Sequence, residues 1–419
     1  MQYRTIISPL FIFMMALVVL EVFFRLPFVI YTLNDPSSGH LNTLHFFSIY
    51  RPADVMTLGL LLVAIAFIMI VSTNLITPMR MHIPVRMEVP DVPATIRVIS
   101  ILVSGAAILS IGMLGADALL NSLSSKRSDL TERGILWLLV KVANFNHLII
   151  LLLYLRYLKH GKRLDQFLLV IAFLSLAGVS LVFSQRAILI SLVLELFYAA
   201  LLFGRIRFWA IAKVVGAIGV VVIGISALRP GEDFGNTFEL VLEGLRRAMM
   251  SRYFFDFTKL GTVMQWADGQ PWLGPAAIGF VFEPFFGNEV IFYKEVGPLI
   301  SAEVYLYRSE TGVTPGLLLE SLLSFGYLLG FLFFLLIIQM FRLIELRLFR
   351  PTSSSLAATV VPIFVLSKFT LALNSSLGAY AFQLVLEGTM LWLILLLLGG
   401  FHRARPVTGA VPSQFRTPA

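Results

Sequence analysis

Long runs of Leu, Ile, Val and Phe, almost free of charge, recur along this 419-residue sequence. Several reach the roughly 20 residues that a helix needs to cross about 30 Å of hydrocarbon. That feature limits the fold more than any other, because a chain built from such runs aggregates in water unless a bilayer covers it. Hydrophobic residues make up 58% and charged residues only 13%, which excludes an ordinary string of soluble domains. The expected class is all-α: a polytopic integral membrane protein. Cysteine is absent, so disulfides, thiolate nucleophiles and Cys-based metal sites are excluded together.

Hydropathy marks about 10 transmembrane helices, near 5–26, 54–77, 96–120, 134–155, 166–184, 187–203, 208–228, 314–341, 356–374 and 379–401. The first is too long for a removed signal peptide, lacks a small-residue cleavage site, and is expected to remain as an anchor. The resulting organisation is a transmembrane part over 1–228 with helices one to seven, a large outer loop over 229–313, helices eight to ten over 314–401, and a polar, disordered tail over 402–419.

Orientation follows from the short links. With a cytoplasmic N-terminus, the cytoplasmic links hold Arg80 and Arg86; Arg156, Lys159, Lys162 and Arg163; Arg205 and Arg207; Arg342, Arg347 and Arg350; and Arg403, Arg405 and Arg416. The opposite links are poorer in Lys and Arg, although Lys126, Arg127 and Arg133 run against the trend. The positive-inside rule then puts both termini in the cytoplasm. The 85-residue connection 229–313 falls outside, and its seven basic and eleven acidic residues give it a net charge of −4. The rest of the chain is +12, so the overall +8 marks membrane topology and not a nucleic-acid partner.

A connection of that length is expected to be functional. Residues 237–266 read as one or two amphipathic helices along the membrane surface, with Phe238, Leu242, Leu245, Met249 and Phe255 near helical spacing and Arg246, Arg247 and Arg252 among them. From Gln270 to Pro298 the prolines and glycines predict irregular chain.

Ionisable residues inside spans are costly and are candidates for function. Lys141, Glu195, Glu320, Lys368 and Glu387 lie well within theirs. At ~1.5 Å per residue each is about 9–12 Å from the outer end of its span, which points to a polar cavity lined by these groups and open to the outside. Pairing of the two lysines with Glu195 and Glu387 as a contact between helices fits the same positions. His147, on one stripe with Lys141 and Asn144, reads as a helix-packing residue. In span eight, Thr314-Pro315 reads as a helix start, followed by Gly316, Glu320, Ser324 and Tyr327 on one face. The hairpin Phe183-Ser184-Gln185-Arg186-Ala187 keeps a cation where the orientation disfavours one, which suggests an anionic partner. No P-loop, dinucleotide-binding glycine turn or His-Glu-x-x-His is present, and the six histidines lack metal-ligand spacing, so neither a metal nor a soluble cofactor is expected.

The Ser-Gln-Arg186-Ala hairpin, the large outer loop and the stretch Thr311-Gly-Val-Thr-Pro315-Gly-Leu-Leu-Leu-Glu320-Ser-Leu-Leu-Ser-Phe325-Gly326 resemble bacterial oligosaccharide repeat-unit polymerases, the Wzy-type O-antigen polymerases. The motifs that carry the resemblance cover about 180–190 and 245–330; Leu323-Ser324 departs from the Tyr and Asn frequent in that family. The resemblance implies an inner-membrane glycosyltransferase with a periplasmic loop and active site. It would polymerise undecaprenyl-pyrophosphate-linked oligosaccharides, with a chain-length regulator as a possible partner. It further implies that Arg186, Arg252 and Arg246 or Arg247 bind the pyrophosphates, Arg308 being a weaker choice. Glu320, or else Asp256, would orient or deprotonate the attacking hydroxyl. Trp266, Trp272, Phe282, Tyr293, Tyr305 and Tyr307 are candidates for stacking on sugars, or for packing the loop onto the membrane. The competing readings are an O-antigen ligase and, from another class, a lipid-linked oligosaccharide flippase or secondary transporter.

Overall fold

A computed structural model describes residues 3–19, 22, 26, 27, 30, 51–76, 80–84, 88–113, 134–182, 186–203, 257–268, 271–274, 316–349, 355–373 and 377–400. The expected span at 208–228, the C-terminal tail, and Arg246, Arg247, Arg252 and Asp256 lie outside the described residues. The described chain is mostly helical. Its elements are β1 (Tyr3–Ile7), α1 (Pro9–Val19), α2 (Pro52–Ile76), β2 (Arg80–Pro84), α3 (Thr95–Gly112), α4 (Gly134–Asn144), α5 (Asn146–His160), α6 (Arg163–Val182), α7 (Arg186–Leu202), α8 (Phe257–Ala267), α9 (Leu317–Leu348), α10 (Leu356–Ala372) and α11 (Leu377–Leu397).

Among the described residues, five helical stretches are long and apolar enough to cross a membrane: Ala53–Thr73, Thr95–Gly112, Gly134–His160, Arg163–Ser180 and Leu317–Leu348. Ile188–Leu202, Leu356–Thr370 and Leu384–Leu397 are shorter apolar helices. Leu61, Ile68, Leu102, Leu109, Leu174 and Leu336 are more than half exposed on these helices, as bilayer-facing side chains should be.

The first segment corrects the expectation of a helix from residue 5. Residues 3–7 form a strand instead, paired antiparallel with 80–84 in the register Tyr3↔Pro84 to Ile7↔Arg80. The helix starts only after Ser8-Pro9, where the serine hydroxyl caps the Phe11 N–H at 3.1 Å and proline occupies the first turn. Glu345, near the end of α9, completes this start: its carboxylate accepts from the Leu10 N–H at 2.8 Å and from the Ser8 hydroxyl. Arg342 Nη1, 2.9 Å away, balances the carboxylate, and both charged side chains are fully buried. Arg342 therefore belongs to the core and not to the link in which the charge pattern placed it.

Arg156 is likewise buried at the end of α5. It donates to the Val92 carbonyl and, at 3.3 Å, to Asp165 at the start of α6. Arg97, at the start of α3, meets the same carboxylate at 2.6 Å. The starts of α3 and α6 and the end of α5 thus share one face. At the other end, Gly178 of α6 lies against Ile111 of α3, so those two helices run parallel. Gly161, with φ of 64°, reverses the chain between α5 and α6.

The loop helix α8 also departs from expectation. Instead of lying along a surface, it is buried from Phe257 through Met264 and packs against α2. Two glycines make that contact possible. A Cβ on Gly59 would lie 1.8 Å from the Phe257 carbonyl oxygen, and one on Gly261 would lie 2.0 Å from that of Val55. Dispersion contact between apposed backbones at this spacing requires the smallest residue on both helices.

Candidate functional site

Two arrangements bring the ionisable residues of the spans into defined surroundings. The first lies in α9, which is not the single straight helix expected over 314–341. Gly326 has φ of 74° and ψ of −173°, a conformation essentially confined to glycine, and it divides α9 into 317–325 and 327–348. In a straight helix, residues 321 and 330 would be separated by about 13 Å. Here a Cβ on Gly330 would lie 2.6 Å from the Ser321 carbonyl oxygen, so the chain folds sharply back on itself. The second half, 327–348, spans about 33 Å alone. The first half is therefore an additional short helix, and counting depth from the start of a straight span does not locate Glu320.

Residues 316–324 are all buried, whereas Tyr327, Leu328 and Leu329 are exposed. Glu320, 2% exposed, lies in the first turn of the short helix. The helix begins at Leu317, with Gly316 at φ of 78° as its cap residue and no side-chain cap, while Thr314 and Pro315, the expected start, lie outside the described residues. Gly316 still accepts from the Glu320 N–H at 3.0 Å. The hydroxyls of Ser321 and Ser324 each bond the carbonyl four residues earlier, both at 2.7 Å. The break removes Tyr327 from the face that sequence spacing gave it with Glu320 and Ser324.

Part of the long loop is fastened to this break. The Leu273 N–H donates to the Leu323 carbonyl at 3.1 Å, an acceptor that the interruption at Gly326 frees from the helix. Trp272 lies over Gly326, where a Cβ would come within 3.1 Å of its ring, and meets Tyr327 edge to face at 5.9 Å. The loop residues Trp272 and Leu273 and the motif residues Leu323, Gly326 and Tyr327 thus form one unit.

The second arrangement joins α5, α7, α10 and α11. His147 Nδ1 lies 2.9 and 3.0 Å from the two carboxylate oxygens of Glu195, and Nε2 lies 2.9 Å from Glu387. Lys368 Nζ reaches Glu387 at 2.5 Å and the Ser191 hydroxyl at 3.2 Å. Ser367 donates to Glu195 at 3.2 Å. These four ionisable side chains are at most 12% exposed, so they face one another and not an open cavity. With two carboxylates, an imidazolium and an ammonium, the formal charges cancel, which is the condition under which such groups persist inside a membrane.

Sequence reading thus selected Glu195, Lys368 and Glu387, which the fold brings together, and assigned His147 to helix packing although it bridges both carboxylates. The stripe of Lys141, Asn144 and His147 is interrupted at Phe145, where α4 ends and α5 begins; Lys141 remains on α4, partly exposed. Arg186 is the first residue of α7, and 183–185 lie outside the described residues. Ser8, Arg342 and Glu345 carried no signal of contact, because they are far apart in sequence. Among the described residues no group of His, Asp and Glu has the arrangement of a metal site. No family model matches the chain, and no curated protein or solved structure is significantly similar to it.

Proposed function

We propose that the protein is a membrane glycosyltransferase that polymerises undecaprenyl-pyrophosphate-linked oligosaccharide repeat units into a surface polysaccharide. The observation that carries this reading is the docking of Trp272 and Leu273 on the broken helix that holds Glu320. The contact unites the long loop with the motif on which the family resemblance rests, and it holds a buried carboxylate beside a segment able to meet a saccharide. A backbone turn essentially confined to glycine, combined with a buried acid, is typical of sites where geometry serves chemistry.

In the proposed reaction a hydroxyl oxygen of the acceptor sugar attacks the anomeric carbon of the donor. The bond from that carbon to the phosphate oxygen breaks, and its electron pair leaves with the lipid pyrophosphate. Glu320 takes the hydroxyl proton, with Asp256 as the second candidate. Arg186, Arg252 and Arg246 or Arg247 offset the charge that develops on the pyrophosphate, since guanidinium groups bind phosphate oxygens bidentately and stay charged. The site faces the periplasm and both termini face the cytoplasm, in keeping with the basic links.

The test is expression of Arg186→Ala, Arg252→Ala and Glu320→Gln in a strain lacking the native gene, with membrane insertion verified and surface polysaccharide length measured. The reading expects single-repeat caps from each variant. Full-length polymer from all three removes the site assignment. Polymer that remains on the carrier lipid identifies a ligase. Transport of the lipid-linked unit without any new glycosidic bond identifies a flippase or transporter.

A further inference from the structure

The proposed glycosyl transfer makes no use of His147, Glu195, Glu387 and Lys368, although they form a connected group of four buried ionisable side chains. We infer that these four residues form a proton-exchange site inside the membrane domain, with His147 carrying the proton between the two carboxylates.

The geometry of the imidazole is the starting point. Both ring nitrogens lie 2.9–3.0 Å from carboxylate oxygens, which are acceptors when ionised. Each of the two contacts therefore requires one proton. That proton resides either on the ring, giving an imidazolium between two carboxylates, or on a carboxyl group, giving a neutral ring beside a carboxylic acid. Moving the Nδ1 proton onto Glu195 interconverts these states over a single hydrogen bond and leaves the charge of the group unchanged. One proton taken from water raises that charge from zero to +1, and one proton released lowers it to −1.

The surroundings allow this exchange and hold the ring in place. His147 lies in the first turn of α5, immediately after the interruption at Phe145 in the long apolar stretch Gly134–His160. Asn144 and Asn146 flank the interruption, and the side-chain oxygen of each is buried without a hydrogen-bond partner. Two unpartnered acceptors within three residues of His147 in the sequence suit a water or hydronium ion. Asn146 is itself held to Ser175 of α6 at 2.9 Å. The charged groups that contact the ring are Glu195 on α7 and Glu387 on α11; Ser367 and Lys368 on α10 bond those carboxylates, and Ser191 on α7 bonds Lys368; Lys141 is the basic residue of the preceding α4, and Arg97 of α3 is engaged by Asp165 at the far end of α5.

A purely structural role is a poor explanation for so many charges. Well-packed apolar residues join helices at least as well as a buried ion pair does. What apolar side chains cannot do is bind and release a proton. Lys368, contacting the same Glu387 oxygen as the imidazole, holds that carboxylate in position as the proton moves.

The inference is tested with the full-length protein in lipid nanodiscs, labelled with nitrogen-15 on histidine, without any glycan present. The His147→Gln variant assigns the His147 signals by subtraction. The expected result is that the ring nitrogens of His147 pass from the proton-loaded to the unloaded pattern between about pH 5 and 9. Glu387→Gln should displace the midpoint by about one pH unit or more. If His147→Gln fails to insert, the paired Lys368→Met/Glu387→Gln variant, which removes one charge of each sign, provides the comparison. His147 signals that stay fixed across this range in the wild-type protein would overturn the inference and leave a static ion-pair network. The outcome does not depend on whether the protein makes polymer, so failure here and failure of the proposed function remain separate.

Discussion

The Leu273 N–H donates to the Leu323 carbonyl at 3.1 Å, tying the long connection between the two sets of transmembrane helices to the end of the short helix that carries Glu320. The contact exists because Gly326 turns the chain away at that point and leaves the carbonyl available. Trp272 packs over the same glycine.

The first prediction concerns Gly326. Its φ of 74° with an extended ψ is open to glycine and strained for any L side chain, and an added methyl would stand 3.1 Å from the Trp272 ring. Gly326→Ala should destabilise the protein by about 1–3 kcal/mol and shorten the polysaccharide it produces. Thermal unfolding in detergent and gel analysis of surface polymer measure the two effects. An unchanged midpoint with full-length polymer would remove the turn from the account.

Contact between α2 and α8 gives a second prediction. Alanine at Gly59 or at Gly261 would drive a methyl to within 2.0 Å of a backbone oxygen, so the helices must separate. Overpacking of this kind costs about 1–3 kcal/mol. Each variant should unfold at a lower temperature than the wild type. Gly105→Ala, a helix position with open space around the Cβ, serves as the control and should not be destabilised.

Lys368 and Glu387 provide a third. Lys368→Met alone leaves the Glu387 carboxylate buried without its ammonium partner, a loss of about 3–5 kcal/mol. The double variant Lys368→Met/Glu387→Gln removes both charges and keeps His147 opposite Glu195. It should recover most of that loss in denaturant unfolding. A double variant no more stable than the single would show that the two side chains do not act as a pair.

At the start of α1, Ser8→Ala removes the helix cap and one of the donors to Glu345. The expected cost is about 0.5–2 kcal/mol. Glu345→Ala should cost more, because it also withdraws the carboxylate from buried Arg342. The reverse order, measured by the same unfolding experiment, would contradict the assignment of Glu345 as the residue that organises this end.

Much of the helical architecture was legible because a hydrocarbon environment leaves uncharged runs of this length few alternatives. Glu195, Lys368 and Glu387 were conspicuous for the same reason, as charges inside such runs. Their grouping was not legible, since it depends on how α5, α7, α10 and α11 face one another. His147 looked ordinary because a single histidine on an apolar helix carries no sign of its partners. The reversal at Gly326 was hidden for a local reason: glycine in an apolar stretch is compatible with a helix, and only the backbone angles reveal the turn. The strand at residues 3–7 was missed because its partner, 80–84, lies beyond both α1 and α2.

The central claim is the glycosyl transfer, and the purified protein in nanodiscs tests it most directly when supplied with synthetic undecaprenyl-pyrophosphate-linked repeat units. The account predicts a ladder of products that differ by one repeat unit, together with released undecaprenyl pyrophosphate, both lost in Glu320→Gln. A wild-type protein, correctly folded and fully loaded with substrate, that yields only unchanged single units would contradict it.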